Sequence, residues 1–353
     1  MTHVGERPAA SERPARRGSS RPTLEAVALL AGVGRGTVSR VVNGAPGVSD
    51  QARAVVEAAI AELGYVPNRA ARTLVTSRTD AIALVIPETE TRLASEPFFA
   101  EIIRGVASEL SDTDMQLLLI LIRTAQERER FAAYISGHRV DGVLMVSVHT
   151  EDPLVDLLER TGLPAVLGGR RSELEPLSYV NPDNLGGAWA AVRHLARSGR
   201  GNIATITGPL DMEGARSRLD GYRRALEESG IPFVEELVGQ GDFSEESGVQ
   251  AMRQLLLTRP DLDAVFAASD LMAAGAMRVL RQQGRRIPED VAVVGFDDSP
   301  VARHTDPPMT TVRQSSEEMG RAMARLLLEE IAEPSRAHRQ IILTTELVRR
   351  ESA

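Results

Sequence analysis

The sequence predicts an all-α helix-turn-helix head followed by an α/β body of two Rossmann-like lobes. Three observations carry that prediction. From Arg21 to Leu63 apolar residues recur only at helical spacing. Beyond Asp80, strand-length apolar runs alternate with amphipathic helices, and the series runs twice. The charge also changes sign along the chain. Ten arginines against six acidic residues give residues 1–74 a formal +4, and the 353-residue chain carries −8, which leaves −12 for the rest. A basic head on an acidic body suits phosphate attraction by the head alone.

Composition closes off several chemistries. With no cysteine, disulfides, thiolate catalysis and cysteine-based zinc sites are excluded. The Arg-, Ser- and Pro-rich start is not expected to be a secretory signal, and no apolar run is long enough to span a bilayer. A cytoplasmic protein with no membrane partner is expected.

Residues 1–20 read as a disordered tail and residues 21–66 as the head. Thr23 caps a first helix carrying Leu24, Val27, Ala28 and Ala31, and Gly32-Val33 breaks it. A second helix is predicted from Gly34 to Val42, a loop at Asn43–Gly47, and a third helix from Asp50 to Leu63. Ser49 caps this third helix, Gly64 ends it, and Val55, Val56, Ala59 and Ile60 face inward. Residues 67–79 form a short helix and linker. Residues 80–353 are the core, with a first lobe at about 80–181 plus 315–339 and a second at about 182–314 plus 340–353. The predicted strands are Ala81–Ile86, Gln116–Ile122, Gly142–Val146, Ala165–Leu167, Ile203–Thr207, Ala264–Ala267, Val291–Phe296 and Ile341–Val348. Ligands of such sheets bind outside the carboxyl ends of the strands, which points to the cleft between the lobes.

The stretch Leu24–Asn43 has helix-turn-helix spacing. Val27, Ala31, Val33, Val38 and Val41 pack the helices and leave Arg35, Thr37, Ser39 and Arg40 outward. Arg35 or Arg40 can bond a guanine edge bidentately, while Thr37, Ser39 and Asn43 suit phosphates. A plain helical hairpin with a solvated arginine face fits the pattern equally well.

Resemblance separates the two. The run Thr23-Leu24, Val27-Ala28, Ala31-Gly32-Val33, Thr37-Val38-Ser39-Arg40-Val41-Val42-Asn43, Val48-Ser49, Gly64-Tyr65 and Pro67-Asn68-Arg69-Ala70-Ala71 resembles the LacI/GalR (lactose-repressor-like) family. The likeness extends over nearly the whole chain after Arg21. It implies a homodimer on pseudo-palindromic operator DNA, with the head in the major groove through Thr23, Arg35, Gly36, Thr37, Ser39, Arg40 and Asn43. Gly36 falls on a base-reading position without supplying a side chain, so readout rests on Arg35 and Arg40. By the same resemblance, Pro67–Leu74 is a hinge helix that enters the minor groove, with Leu74 as the wedge beside Asn68, Arg69 and Ala71. By composition alone Leu74 reads as an ordinary buried leucine.

The body resembles the periplasmic-sugar-binding-protein fold. The resemblance assigns the ligand residues Phe98, Phe99, Ser147, Arg218, Phe243, Ser269, Asp270, Asp297 and Gln314, with one of the two adjacent phenylalanines expected to be core. His149 is a weaker candidate or a loop residue, and Asp298 an N-cap or lobe-interface residue. Gly168-Gly169-Arg170 replaces an acidic pocket residue of some members and leaves room for a larger ligand. Stretches 166–170 and 206–212 resemble regulators of cello-oligosaccharide or β-glucoside use. The expected function is a carbohydrate-gene repressor released by a sugar. The alternatives are a corepressor-dependent regulator binding a purine or other metabolite, or a non-regulatory sugar-binding protein. No phosphate-cradling loop, metalloprotease pattern or nucleophile elbow occurs, so no cofactor, metal or catalytic residue is expected.

Overall fold

The computed structural model describes residues 22–66 and 78–353. The predicted tail and the hinge segment, with Asn68, Arg69, Ala71 and Leu74, lie outside the described residues. The chain divides into two compact units, one ending at Arg78 and one running from Thr79 to Ala353.

In the first unit, α1 spans Leu24–Ala31, α2 Arg35–Val42 and α3 Asp50–Leu63. The Thr23 hydroxyl accepts from the Ala26 N–H and the Ser49 hydroxyl from the Ala52 N–H, so two helix starts have side-chain caps. Gly32, at φ 64°, takes the left-handed turn that ends α1 and lets α2 cross it. Val27, Val38, Val56, Ala59 and Tyr65 form the small core. Val55, predicted inward, is 44% exposed, because Val56 and Ala59 carry the inward stripe of α3.

In the second unit, one sheet holds β1 (Ala81–Ile86), β2 (Gln116–Leu121), β3 (Gly142–Val146), β4 (Ala165–Gly168), β5 (Ser178–Pro182) and β11 (Gln340–Leu343), in the order β11-β5-β4-β3-β1-β2. All its pairings are parallel. The other sheet holds β6 (Ile203–Thr207), β7 (Val238–Gln240), β8 (Ala264–Ala267), β9 (Ala292–Asp297), β10 (Thr310–Arg313) and β12 (Glu346–Val348), in the order β12-β10-β9-β8-β6-β7. Only its β10–β12 pair is antiparallel.

Period-2 alternation sorts the strand residues onto opposite faces. Ile82, Leu84 and Ile86 pack with α5 (Pro97–Leu110) and α13 (Ser316–Ala332). Ala83 and Val85 face α6 (Ala125–Ser136) and α7 (Pro153–Thr161). In the second sheet, Ala264 and Phe266 face α8 (Asn184–Arg197) and α9 (Glu213–Glu228). Val265 and Ala267 face α10 (Glu245–Thr258) and α11 (Asp270–Gln282). Two short helices complete the unit, α4 (Glu90–Ser95) and α12 (Pro300–His304).

The structure departs from the sequence reading in two ways. The predicted strand Ile341–Val348 is two strands, β11 in the first sheet and β12 in the second, so residues 340–343 belong to the first lobe rather than the second. The chain therefore crosses between lobes three times, after β5, after β10 and between β11 and β12. The Asp183 N–H donates to the Leu343 carbonyl and the Thr345 hydroxyl to the Asp183 carbonyl, which ties two of these crossings together. The short elements β5, β7, β10, α4 and α12 were also not predicted.

Helix α13 returns to the first lobe and lies directly on α5. A Cβ on Gly105 would stand 2.0 Å from the Glu317 carbonyl oxygen, and one on Gly320 would stand 2.3 Å from that of Ile102. Gly105→Ala is expected to force the two helices apart and cost about 1–3 kcal/mol. Urea unfolding measures this, and an unchanged midpoint would contradict so close an approach.

Candidate functional site

On the head, Arg35, Gly36 and Arg40 are exposed along α2, and Thr37, Ser39 and Asn43 are half-buried beside them. The Asn43 amide donates to the Ser39 hydroxyl at 3.3 Å, closing the end of the helix. Arg35 pairs with Glu25 at 3.1 Å, and both side chains are largely in solvent. An exposed pair of this kind is worth little, so Arg35 exchanges it readily for another anion. Gly34 caps α2 without a side chain, and a Cβ on Gly36 would meet nothing within 4 Å.

Within the second unit, a cleft of about 100 Å³, open to solvent, lies between the two sheets. Of the residues proposed from sequence, Phe98, Phe99, Ser147, Arg218, Phe243, Asp297 and Gln314 line it. Phe98 and Phe99 meet edge to face with ring centroids 5.3 Å apart, and Phe99 is only 1% exposed, so it is the core member of the pair.

The floor is polar and buried. Arg218, buried on α9, donates from Nε to the Asn184 side chain at 2.9 Å, from Nη1 to the Ala268 carbonyl at 2.5 Å and from Nη2 to Gln314 at 3.3 Å. Its guanidinium lies 3.7 Å from the centroid of the Phe296 ring. Asp297, at the end of β9 with φ 120°, stands 3.9 Å from Nη1 and accepts from the Gln314 amide at 2.6 Å. Burial pulls the guanidinium below its ordinary pKa, with Asp297 opposing that shift. Burial pushes the Asp297 carboxyl well above the carboxylate range, against the pull of Arg218. A guanidinium and a carboxyl buried together with incomplete mutual contact gain most from a guest that supplies hydroxyls to both.

Ser269 and Asp270 do not line the cleft. The Ser269 hydroxyl accepts from the Met272 N–H, which starts α11, and donates to the Phe243 carbonyl. Asp270 is fully buried and accepts from the Ser299 N–H at 2.7 Å and the Thr311 hydroxyl at 2.5 Å. Both carboxylate oxygens are spent holding the loop after β9, and burial pushes its pKa up to about 7. Asp298 receives Arg313 and Arg350 and caps nothing, since Ser299 is the N-cap of α12.

The sequence reading missed a set of charges around the rim. Arg92 on α4 and Glu96 beyond it line the cleft, as do Asn181 and Asn184 at the first crossing. Arg170 lines it too, but its guanidinium is bound to Glu213 across the lobes at 2.8 and 3.0 Å. The opening expected at Gly168-Gly169-Arg170 is thus bordered by an ion pair. Of these only Arg170 stood in a stretch the sequence had singled out; Arg92 and Glu96 pair within one short helical segment and look local until the cleft they line is seen.

Further contacts join the lobes at the cleft edge. The Thr150 N–H and hydroxyl donate to the Asp211 carbonyl, and Arg216 donates to the Thr150 hydroxyl and the Arg171 carbonyl. His149 Nδ1 lies 2.7 Å from the Asp211 carboxylate, and Nε2 lies 3.7 Å from Glu88. Hydrogen bonding to the buried Glu88 and to the exposed Asp211 raises His149 to about 8. Burial pushes Glu88 up, but His149, Arg92 and Ser147 together hold it below its ordinary value.

Comparison with known proteins adds relatives along the whole chain. The family model of bacterial regulatory proteins, lacI family, matches residues 23–68, and that of the periplasmic binding protein-like domain matches residues 192–353. The HTH-type transcriptional regulator CelR of Thermobifida fusca is 54% identical over 334 residues, covering 94% of this chain and 98% of the relative. The ribose operon repressor of Escherichia coli (strain K12) is 34% identical over 333 residues, with coverage of 94% and 99%. Among solved structures, a transcriptional regulator CelR–cellobiose complex superposes with a TM-score of 0.76 at 52% identity, covering 94% of this chain and all of that one. A lac repressor dimer bound to operator and the anti-inducer ONPF gives 0.82 at 29% identity, with coverage of 94% and 99%.

The histidine contact predicts a pH dependence for cleft closure. Part of its raised pKa comes from Asp211 of the opposite lobe, so the closed form gains most at low pH and loses that gain as pH rises through about 8. Because Glu88 of its own lobe supplies the largest share in either arrangement, affinity for a ligand that closes the cleft is expected to fall only about two- to threefold from pH 6.5 to 8.5. His149→Gln should flatten that slope in calorimetric titrations. An equal slope in both proteins would place the titration elsewhere.

Proposed function

The chain belongs to the LacI family of bacterial regulatory proteins, and we propose that it is an operator-binding repressor released by a β-linked glucose disaccharide of the cellobiose type. The observation that carries the ligand reading is the buried Arg218–Asp297–Gln314 floor beneath aromatic walls. A sugar ring presents a flat apolar face to Phe98 or Phe243 and vicinal hydroxyls to a guanidinium fork and a carboxyl. The solved CelR–cellobiose complex, 52% identical to this chain, points the same way.

Arg35 and Arg40 read base edges, while Thr23, Thr37, Ser39 and Asn43 contact phosphates. Gly36 lies against the groove floor without a side chain. The chain acts as a homodimer on a pseudo-palindromic operator, as the lac repressor dimer does in its operator complex. Asn68, Arg69, Ala71 and Leu74 serve the minor groove at its centre. Its place of work is the cytoplasm, where the DNA is. The sugar acts by differential affinity. It binds the arrangement of lobes that does not favour the DNA-bound dimer, and by reciprocity operator binding weakens sugar binding by the same factor.

A gel shift with genomic fragments tests this. The protein is expected to retard a specific pseudo-palindromic fragment, and cellobiose should release it. Arg218→Ala should retain the shift and lose release, its sugar affinity falling by two orders of magnitude or more. No specific retardation with or without sugar would defeat the regulator reading. Retardation strengthened by cellobiose would make the sugar a corepressor.

A further inference from the structure

We propose that helix α4 is a selectivity lid, and that Arg92 sets the length of sugar the cleft accepts; the inference rests on the ligand reading above. Helix α4 projects from the end of β1 with no fully buried residue. Leu93 rests on the first-lobe core and Glu90 accepts from Arg123, and the rest of its anchoring is polar. The Thr89 hydroxyl caps its start, and Arg92 donates from Nη1 to Glu88 at 2.5 Å and from Nε to Glu96 at 2.9 Å. These two carboxylates lie before and after the helix, so the guanidinium is the clasp of the whole segment.

The clasp faces the opposite lobe. Arg92 lies 5.5 Å from the centroid of the Phe243 ring, and Arg218 lies 5.8 Å from the same centroid. Phe243 cannot retreat. Its backbone sits at φ 72°, its carbonyl accepts from Ser269, and a Cβ on Gly208 would stand 2.1 Å from its ring. The phenyl ring is therefore a fixed stop, with a deep cation on its own lobe and the lid's cation from the other.

Arg218 is 9% exposed and Arg92 20%, so one guanidinium lies deep and the other near the mouth. Nη2 of Arg92 donates to no protein acceptor among the described residues. One sugar ring held by Arg218 and Asp297 leaves that donor free. The second ring of a disaccharide brings hydroxyls to it and completes the fork. A third ring has to displace the lid from Phe243. The cleft thus selects two rings over one and over three.

The test is calorimetric binding of glucose, cellobiose and cellotriose to the full chain and to Arg92→Met, which keeps an apolar stem against Phe243. The parent should bind cellobiose at least tenfold tighter than either other sugar. Arg92→Met should weaken cellobiose about tenfold, leave glucose within twofold and abolish the preference over cellotriose. Glu96→Gln, which opens one side of the clasp and keeps its shape, should shift the cellotriose-to-cellobiose ratio in the same direction by less. Should Arg92→Met melt early, that ratio in Glu96→Gln decides. Equal loss for all three sugars, or an unchanged ratio, overturns the lid while the ligand reading stands. A parent that binds none of the three overturns both.

Discussion

The body is organised around one buried cation. Arg218 brings a full charge into a buried space between two sheets, and its nitrogens draw in the first crossing through Asn184, the end of β8 through Ala268 and the second crossing through Gln314. A guanidinium in that position is tolerable only when its donors are spent in fixed directions. The requirement holds the first two crossings together at the floor of the cleft. Asp297 stays only loosely matched to it, which leaves the floor receptive to a polyol.

Around this floor the lobe contacts are nearly all polar and small. Arg170 with Glu213, Thr150 with Asp211, and His149 between Glu88 and Asp211 close the edge without an apolar seal. Contacts of this kind are worth little singly and are easily exchanged for water. Such an edge offers little resistance to a ligand with different affinities for two lobe arrangements. Glu88 links this edge to the α4 clasp, since it accepts from both Ser147 and Arg92.

The sequence reading went furthest where the signal is periodic. Alternating buried strands, helix caps at Thr23 and Ser49, and the carboxyl-end placement of Asp297 follow from local pattern and the physics of parallel sheets. It stopped where meaning depends on a distant partner. Asp270 looked like a ligand carboxylate until Ser299 and Thr311 were seen to use both its oxygens. Arg92 drew no notice in the sequence, and only the fold sets it opposite Phe243 of the other lobe. The division of Ile341–Val348 between two sheets was equally hidden, because a run of β-formers does not say which edge each half joins. Gly36 in the helix, by contrast, needed no structure to be noticed.

That glycine also bears on how the protein changes over time. A Cβ at position 36 meets nothing within 4 Å in the folded head, so a side chain can start there without displacing a neighbour. With Arg35 before it and Arg40 one turn beyond, the position is an open slot on the exposed face of α2. On the base-reading role proposed for that face, one substitution there would give a descendant a new operator while the cleft, in the other unit, keeps its ligand.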